Sequence, residues 1–328
     1  MTYRMYFERK VSGPIDSRAK LCQALSIGDE ELTQALALTE AERYTESSVP
    51  KADGTTRTIY NPHHKIRKLQ RRINTRFFNP SKKIHGNDSG IIRWPSYIFG
   101  CVPNDIGDDG ETEVQKDYVA CARVHCPSKS ILKMDISDFY NNVHRDLVLE
   151  VFKDMLGFTD DEVASLLTDI CCKGDSLVQG GLTSSYLACL ALYDEEPEVV
   201  RRLKRKGFRY TRLIDDITIS SPNENVNFDY VKDLVVNMLH AKELPVNRDK
   251  TKVQYVSTEP LLVHGLRVNF KEPRLPKGEA ARIRANVHNV ERLAKERHYR
   301  TIHPYRRDFN KCMGRVNKLA RVNPPLAG

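Results

Sequence analysis

Residues 210–221 read YTRLIDDITISS. A basic, β-rich approach runs into two adjacent aspartates, and Ile217, Thr218 and Ile219 then lead into a second short strand. Such a segment predicts a hairpin whose apolar arms anchor in a sheet while its turn pushes out two carboxylates. Carboxylates held side by side repel, so the arrangement is stable mainly with a cation between them; where phosphoryl chemistry is done, a pair of Mg²⁺ ions is the usual occupant. A plain polar turn is the competing reading of Asp215 and Asp216, because Asp-rich turns are common. The rest of the chain decides between them.

Upstream, Ile131, Leu132, Met134 and Ile136 form a nearly continuous apolar strand interrupted by Asp135 and followed by Asp138, Phe139 and Tyr140. A buried strand tolerates an aspartate when a cation meets it; Asp138 also suits the N-cap of the next helix. Between this strand and the hairpin come two amphipathic helices, about 144–156 and 160–172, the second expected to be capped by Thr159. The loop GDSLVQGGLTSS, 174–185, then opens an apolar helix, a junction that suits phosphate or a plain helix start. Downstream, a helix over 228–239 is followed by Leu244–Lys252, a strand at 252–257 and a hairpin over 260–268.

Nearer the N-terminus, 16–44 reads as helical with a break at 26–30. A turn at 51–54 closes a hairpin carrying Lys51 and Arg57, and a helix from 63 puts Ile66, Leu69, Ile73 and Phe77 on one face with basic residues opposite. The acidic patch 105–113 reads as an exposed loop. At the other end, residues 279–297 and 304–321 predict two basic amphipathic helices. The first turns Ile283, Val287, Val290, Leu293 and Ala294 inward; the second does so with Tyr305, Phe309, Met313, Val316 and Leu319.

At 328 residues and 40% apolar content the chain supports two or three subdomains. Its net charge of +9 is concentrated: 271–328 holds 15 Lys and Arg against 5 Asp and Glu, while the remainder holds 37 against 38. That asymmetry suits a polyanion, with nucleic acid the first candidate and a solvated helical face the alternative. The eight cysteines follow neither a zinc nor a disulfide pattern, which predicts reduced, buried thiols and a cytoplasmic protein. No stretch approaches a membrane span.

Taken in order, the basic hairpin, the Asp135-x-x-Asp138-Phe139-Tyr140 strand end, the QGG loop, the Asp-Asp hairpin, the Lys-bearing turn and the Gly-containing hairpin resemble the fingers and palm of reverse transcriptases over residues 45–270. The resemblance implies an α+β, right-hand polymerase fold. It divides into an N-terminal helical element (1–44), fingers (45–130), a palm with an antiparallel sheet (131–260) and a basic α-helical thumb (261–328). It implies RNA-directed DNA polymerase activity, with Asp135, Asp215 and Asp216 holding two Mg²⁺ ions, or Mn²⁺. Tyr140 takes the place of the aromatic gate beneath the sugar, Gln179 that of the glutamine near the incoming dNTP, and Lys51 and Arg57 those of the triphosphate-binding fingers residues. Lys250 matches the lysine that assists proton transfer to pyrophosphate, with Lys252 the competing assignment.

Among reverse transcriptases the likeness is to the retron type. Cys121-Ala122-Arg123-Val124-His125 sits where that group has NAxxH, with Cys for Asn, and Val263-His264-Gly265 where it has VTG. Leu213 stands where an aromatic residue precedes the aspartates by two places. The retron likeness implies a structured non-coding RNA as template, priming from a guanosine 2′-hydroxyl, a branched RNA-linked msDNA product and antiphage defence with a separate effector protein. His125, His264, Arg282, Arg284 and Arg292 are the expected RNA-binding residues. The alternatives are an RNA-holding scaffold or effector-neutralising protein with this fold, or another defence-associated or group II-like reverse transcriptase.

Overall fold

The computed structural model describes residues 8–9, 13–50, 54–79, 83–84, 87–88, 91–106, 112–296, 298–301 and 303–322. Lys51, the middle of the acidic segment (107–111) and Arg297 lie outside the described residues. The chain divides into two compact units. The first comprises Met1–Asp117, Leu132–Ile219 and Asn227–Lys252, and the second Tyr118–Ile131, Ser220–Val226 and Val253–Gly328.

A five-stranded sheet contains β1 (Ile98–Phe99), β2 (Ser130–Asp135), β3 (Arg209–Leu213), β4 (Asp216–Ser221) and β5 (Lys252–Tyr255), in the order β5-β2-β4-β3-β1. The edge pair β3 and β1 runs parallel, with Arg212 opposite Ile98 and Leu213 opposite Phe99, so the sheet expected to be antiparallel is mixed at that edge. Along β4, Ile217, Thr218, Ile219, Ser220 and Ser221 are all buried rather than alternating. A strand inside a sheet covered on both faces has no solvent side, and the hydroxyls of Thr218 and Ser220 go inside with the isoleucines.

In the first unit the N-terminal stretch resolves into helices at Arg18–Leu25 and Asp29–Leu36, separated where Ser26 adopts a left-handed conformation. A capping box between Thr39 and Glu42 starts a short turn that leads into the hairpin Tyr44–Pro50 with Thr56–Pro62. The following helix, His64–Ile73, continues as a π-helical turn at Asn74–Phe78. That turn buries both Phe77 and Phe78. The helix Asp161–Cys171 is capped by Asp160, whose side chain accepts from the Val163 amide at 2.9 Å; the expected Thr159 lies one residue too early.

The second unit builds its core from Val119, Ala122, Ile131, Leu261, Val263, Leu266, Val268 and Val322. Strands Leu262–Val263 and Leu266–Arg267 pair across a two-residue turn in which His264 and Gly265 both have positive φ, +47° and +75°. Helices Glu279–Leu293 and His303–Val322 pack against each other. Ile283 is buried as expected, whereas Phe309 and Met313 each remain 40% exposed, and among the described residues of the second helix Cys312 and Val322 are buried. Helical spacing selects an apolar stripe, but the neighbour available to cover it sits over a different part of the helix.

Candidate active site

Asp135 ends β2 with only 5% of its surface exposed. The backbone beyond it is held from two directions. The Ile136 amide donates to the Asp215 carbonyl at 3.1 Å; the Asn247 amide donates to the Asp135 carbonyl and the Ser137 amide to the Pro245 carbonyl, each at 2.8 Å. These bonds bring the acidic strand end to the Asp-Asp turn and to segment 245–250. The cation that a buried aspartate requires is Lys250, whose Nζ lies 2.9 Å from Asp135 Oδ2, with Asn247 Nδ2 at 3.3 Å from the same oxygen. Lys252 is an exposed residue of β5.

Asp215 and Asp216 feel the same crowding. Burial pushes the Asp215 carboxyl up, as does the charge of Asp135, while Lys250 and Arg57 pull it down. The Asp216 carboxyl is pushed up to about 6, first because surrounding protein strips its water and then because Asp215 and Asp135 repel its charge. Asp216 still keeps an open surface, which leaves it accessible to an ion. Among the described residues no three His, Cys, Asp or Glu side chains are already gathered around a single point as a ligand set. The donor chemistry nevertheless fits Mg²⁺: hard carboxylate oxygens, two of them with pKa values raised first by burial and then by repulsion, and an ammonium already drawn to the third.

The other expected nucleotide-binding residues belong to the same unit. Tyr140 is half-buried, its hydroxyl 3.0 Å from Ser185 Oγ, and burial pushes its pKa up to about 12. Asp138 sits at the N-cap position of the short helix Phe139–Asn142 in a left-handed conformation and makes no side-chain cap bond, so the capping role expected for it is not filled. Gln179 is docked through its backbone, its carbonyl accepting from the Tyr60 amide at 2.8 Å. Beside it Gly180 has φ +108°, and a Cβ there would lie 2.3 Å from the Tyr60 carbonyl oxygen. Gly180 therefore lets this loop press against the basic hairpin, while a Cβ on Gly181 would instead lie 2.5 Å from Ser184 Oγ in the loop itself. Buried Gln70 completes the seam by accepting from the Leu182 amide at 2.9 Å. Arg57 is exposed on the hairpin.

The expected RNA-binding residues fall in the second unit. Arg282, Arg284 and Arg292 are exposed along helix Glu279–Leu293. His264 is half-buried at the hairpin turn. His125 is completely buried, its Nδ1 2.7 Å from Ser220 Oγ and its carbonyl accepting from Ser128. The surface role expected for its side chain is therefore corrected to one in packing. Cys121 and His264, the two departures from the NAxxH and VTG patterns, lie against each other, with Sγ 3.4 Å from Nε2. Asn247, Ser185 and Gln70 carried no sequence signal, because a polar side chain that serves a distant partner looks like any loop or helix residue.

Residues 49–268 match the family described as reverse transcriptase (RNA-dependent DNA polymerase). The chain is 47% identical over 313 residues to the retron Ec48 reverse transcriptase of Escherichia coli, covering 95% of this chain and 74% of that protein. The chain belongs to the retron reverse transcriptases. It is also 30% identical over 271 residues to the retron Se72 reverse transcriptase of Salmonella heidelberg (strain 579083-10), covering 81% of this chain and 65% of that relative. Among solved structures it is similar to telomerase from Candida albicans in complex with a TWJ fragment of telomeric RNA, at TM-score 0.45 and 11% identity, over 90% of this chain and 58% of the telomerase. Retron reverse transcriptases are RNA-directed DNA polymerases with the right-hand α+β fold, and the mixed helix and sheet content here accords with it. Among the described residues no helix is long and apolar enough to cross a membrane, and none of the eight cysteines forms a disulfide.

Proposed function

We propose that this chain binds a structured non-coding RNA, primes from a guanosine 2′-hydroxyl within it and copies part of it from dNTPs into branched RNA-linked msDNA. It would do so in the cytoplasm, in antiphage defence beside a separate effector protein. The observation that carries the reading is the convergence of Asp135, Asp215 and Asp216, whose charges act on one another and on Lys250 and Arg57. In this reading the three carboxylates hold two Mg²⁺ ions, or Mn²⁺, which when bound supply activation of the primer hydroxyl and neutralisation of the triphosphate.

The chain's own groups do the rest. Lys250 holds a proton at Nζ beside Asp135 and delivers it to the leaving pyrophosphate. Arg57 and Lys51 bring positive charge to the triphosphate. Tyr140, steadied by Ser185, packs beneath the sugar and disfavours a 2′-hydroxyl, and Gln179 meets the nucleotide from a loop fixed by Gly180. Arg282, Arg284 and Arg292 grip RNA phosphates, with His264 contributing from the hairpin turn of the same unit, while His125 supports that unit from within. Residues 1–44, 45–130, 131–260 and 261–328 serve as N-terminal element, fingers, palm and thumb.

The test uses purified protein with Mg²⁺, dNTPs and the RNA encoded beside its gene. A DNA joined to RNA through a 2′ linkage is expected, and Asp135→Asn or Asp215→Asn should abolish it. RNA bound without any DNA made, or DNA unaffected by these substitutions, would overturn the proposal; the first outcome would favour the scaffold.

A further inference from the structure

The turn that carries Asp215 is strained and braced. Ile214, between Leu213 and Asp215, has φ +62°, a left-handed conformation that a β-branched residue rarely adopts. Its carbonyl belongs to the peptide bond leading into Asp215, and that oxygen accepts from Arg212 NH1 at 3.1 Å. Arg212 is wholly buried. Three more of its donors are committed: Nε to Glu196 Oε1 at 2.6 Å, and NH2 both to Glu196 Oε2 at 2.7 Å and to the Cys189 carbonyl at 2.9 Å. Glu196, at the start of the helix Glu196–Arg205, is equally buried and accepts a further bond from the Tyr210 hydroxyl at 2.7 Å.

A buried ion pair is weak evidence of stability, because well-packed apolar residues of similar volume often serve as well or better. What an apolar pair cannot do is hold a carbonyl. The planar guanidinium fork can, since it grips the Glu196 carboxylate along one edge and presents another N–H to Ile214 in fixed geometry. The Asp215 carbonyl is in turn held by the Ile136 amide, so both peptide groups of Asp215 are anchored, one to the residue that follows β2 and one to the buried ion pair.

We infer that Arg212, locked by Glu196, is a positioning residue that holds the left-handed turn at Ile214 so that the Asp215 carboxylate is aimed for metal binding. This rests on the reading of Asp215 as a metal ligand.

The test compares Mn²⁺ binding by paramagnetic quenching, and DNA synthesis as a function of Mg²⁺, in the full chain and two variants. Arg212→Lys keeps the charge and loses the fork. The double variant Arg212→Met with Glu196→Leu removes both buried charges, so folding does not depend on an unpaired ion. Both variants should bind Mn²⁺ about ten-fold more weakly and need correspondingly more Mg²⁺ for half-maximal synthesis, the scale seen when outer-shell partners of metal ligands are lost. The double variant should melt no lower than the parent, and saturating Mg²⁺ should restore part of its rate. Unchanged metal affinity in a folded double variant, or a loss of synthesis that merely follows loss of folded protein, would overturn the inference. Asp215→Asn separates the two layers. If it leaves Mn²⁺ binding and synthesis intact, the metal reading of the hairpin fails; if it removes both while the Arg212 variants match the parent, only the brace fails.

Discussion

The Asp216 carboxyl is pushed up to about 6 by partial burial and by the charges of Asp215 and Asp135, and the consequence for stability has a definite sign. A carboxyl whose pKa in the folded chain exceeds its unfolded value of about 3.9 binds protons more tightly when folded. The folded state therefore gains stability as pH falls through about 6 toward 4, and loses it on the way up. In metal-free protein Asp216→Asn should melt higher than the parent at pH 7.5, with the gap closing by about pH 5. Thermal melting across that range checks it, and identical pH profiles would contradict it. Saturating Mg²⁺ should narrow the same gap at pH 7.5, because bound cation replaces the missing proton. For Asp135→Asn the expected effect on synthesis is a loss of more than about 100-fold, the upper end for groups that only support a ligand. A primer-extension rate checks it. That Asp135 needs a cation was legible from its place in an apolar run; that the cation is Lys250 rather than Lys252 depended on which lysine the 245–250 segment turns inward. Leu213, singled out for its missing aromatic ring, packs at the end of β3 close to Gly100, where a Cβ would lie 3.1 Å from its Cγ.

Among the elements, the QGG loop was legible as a loop opening a helix, while its partner was not. The close approach of Gly180 to Tyr60 shows what the glycine is for, and makes a prediction. Gly180→Ala places a Cβ against a backbone oxygen in a conformation reserved for glycine. It should cost at least about 1–3 kcal/mol of stability, the range for a single strained backbone position. Urea denaturation measures it; a loss below about 0.5 kcal/mol, the scale of a neutral surface change, would show that the hairpin gives way instead. The helices followed their apolar periodicity closely where neighbours cover the whole face, as at Phe77 and at Ile66, Leu69 and Ile73, whose helix lies against three helices and a strand. They departed from it where cover is partial, as at Phe309 and Met313. Strand β4 hid its depth in the same way, since Thr and Ser inside a two-sided sheet read in sequence like a solvent face.

At the scale of the molecule, the basic excess of 271–328 belongs to one unit and emerges on both of its helices, with Arg282, Arg284 and Arg292 exposed on the first and Arg306, Arg307 and Lys311 on the second. RNA affinity should therefore fall with salt, and neutralising Arg282, Arg284 or Arg292 one at a time should each reduce the slope of log K against log salt by about one if it contacts a phosphate. A substitution that weakens binding without changing the slope would place that arginine off the RNA. The sequence by itself determined the carboxylate trio, the order of the motifs around it, the basic C-terminal segment and so the family, because spacing, charge and apolar periodicity are local properties of the chain. Tertiary structure alone decided that His125 is internal, that Cys121 meets His264, that Lys250 answers Asp135, and that Arg212 with Glu196 braces the turn. Each of these is a pairing between residues with at least one neighbour far along the chain or a backbone group as partner, and which polar groups meet once water is excluded is settled only when the elements pack.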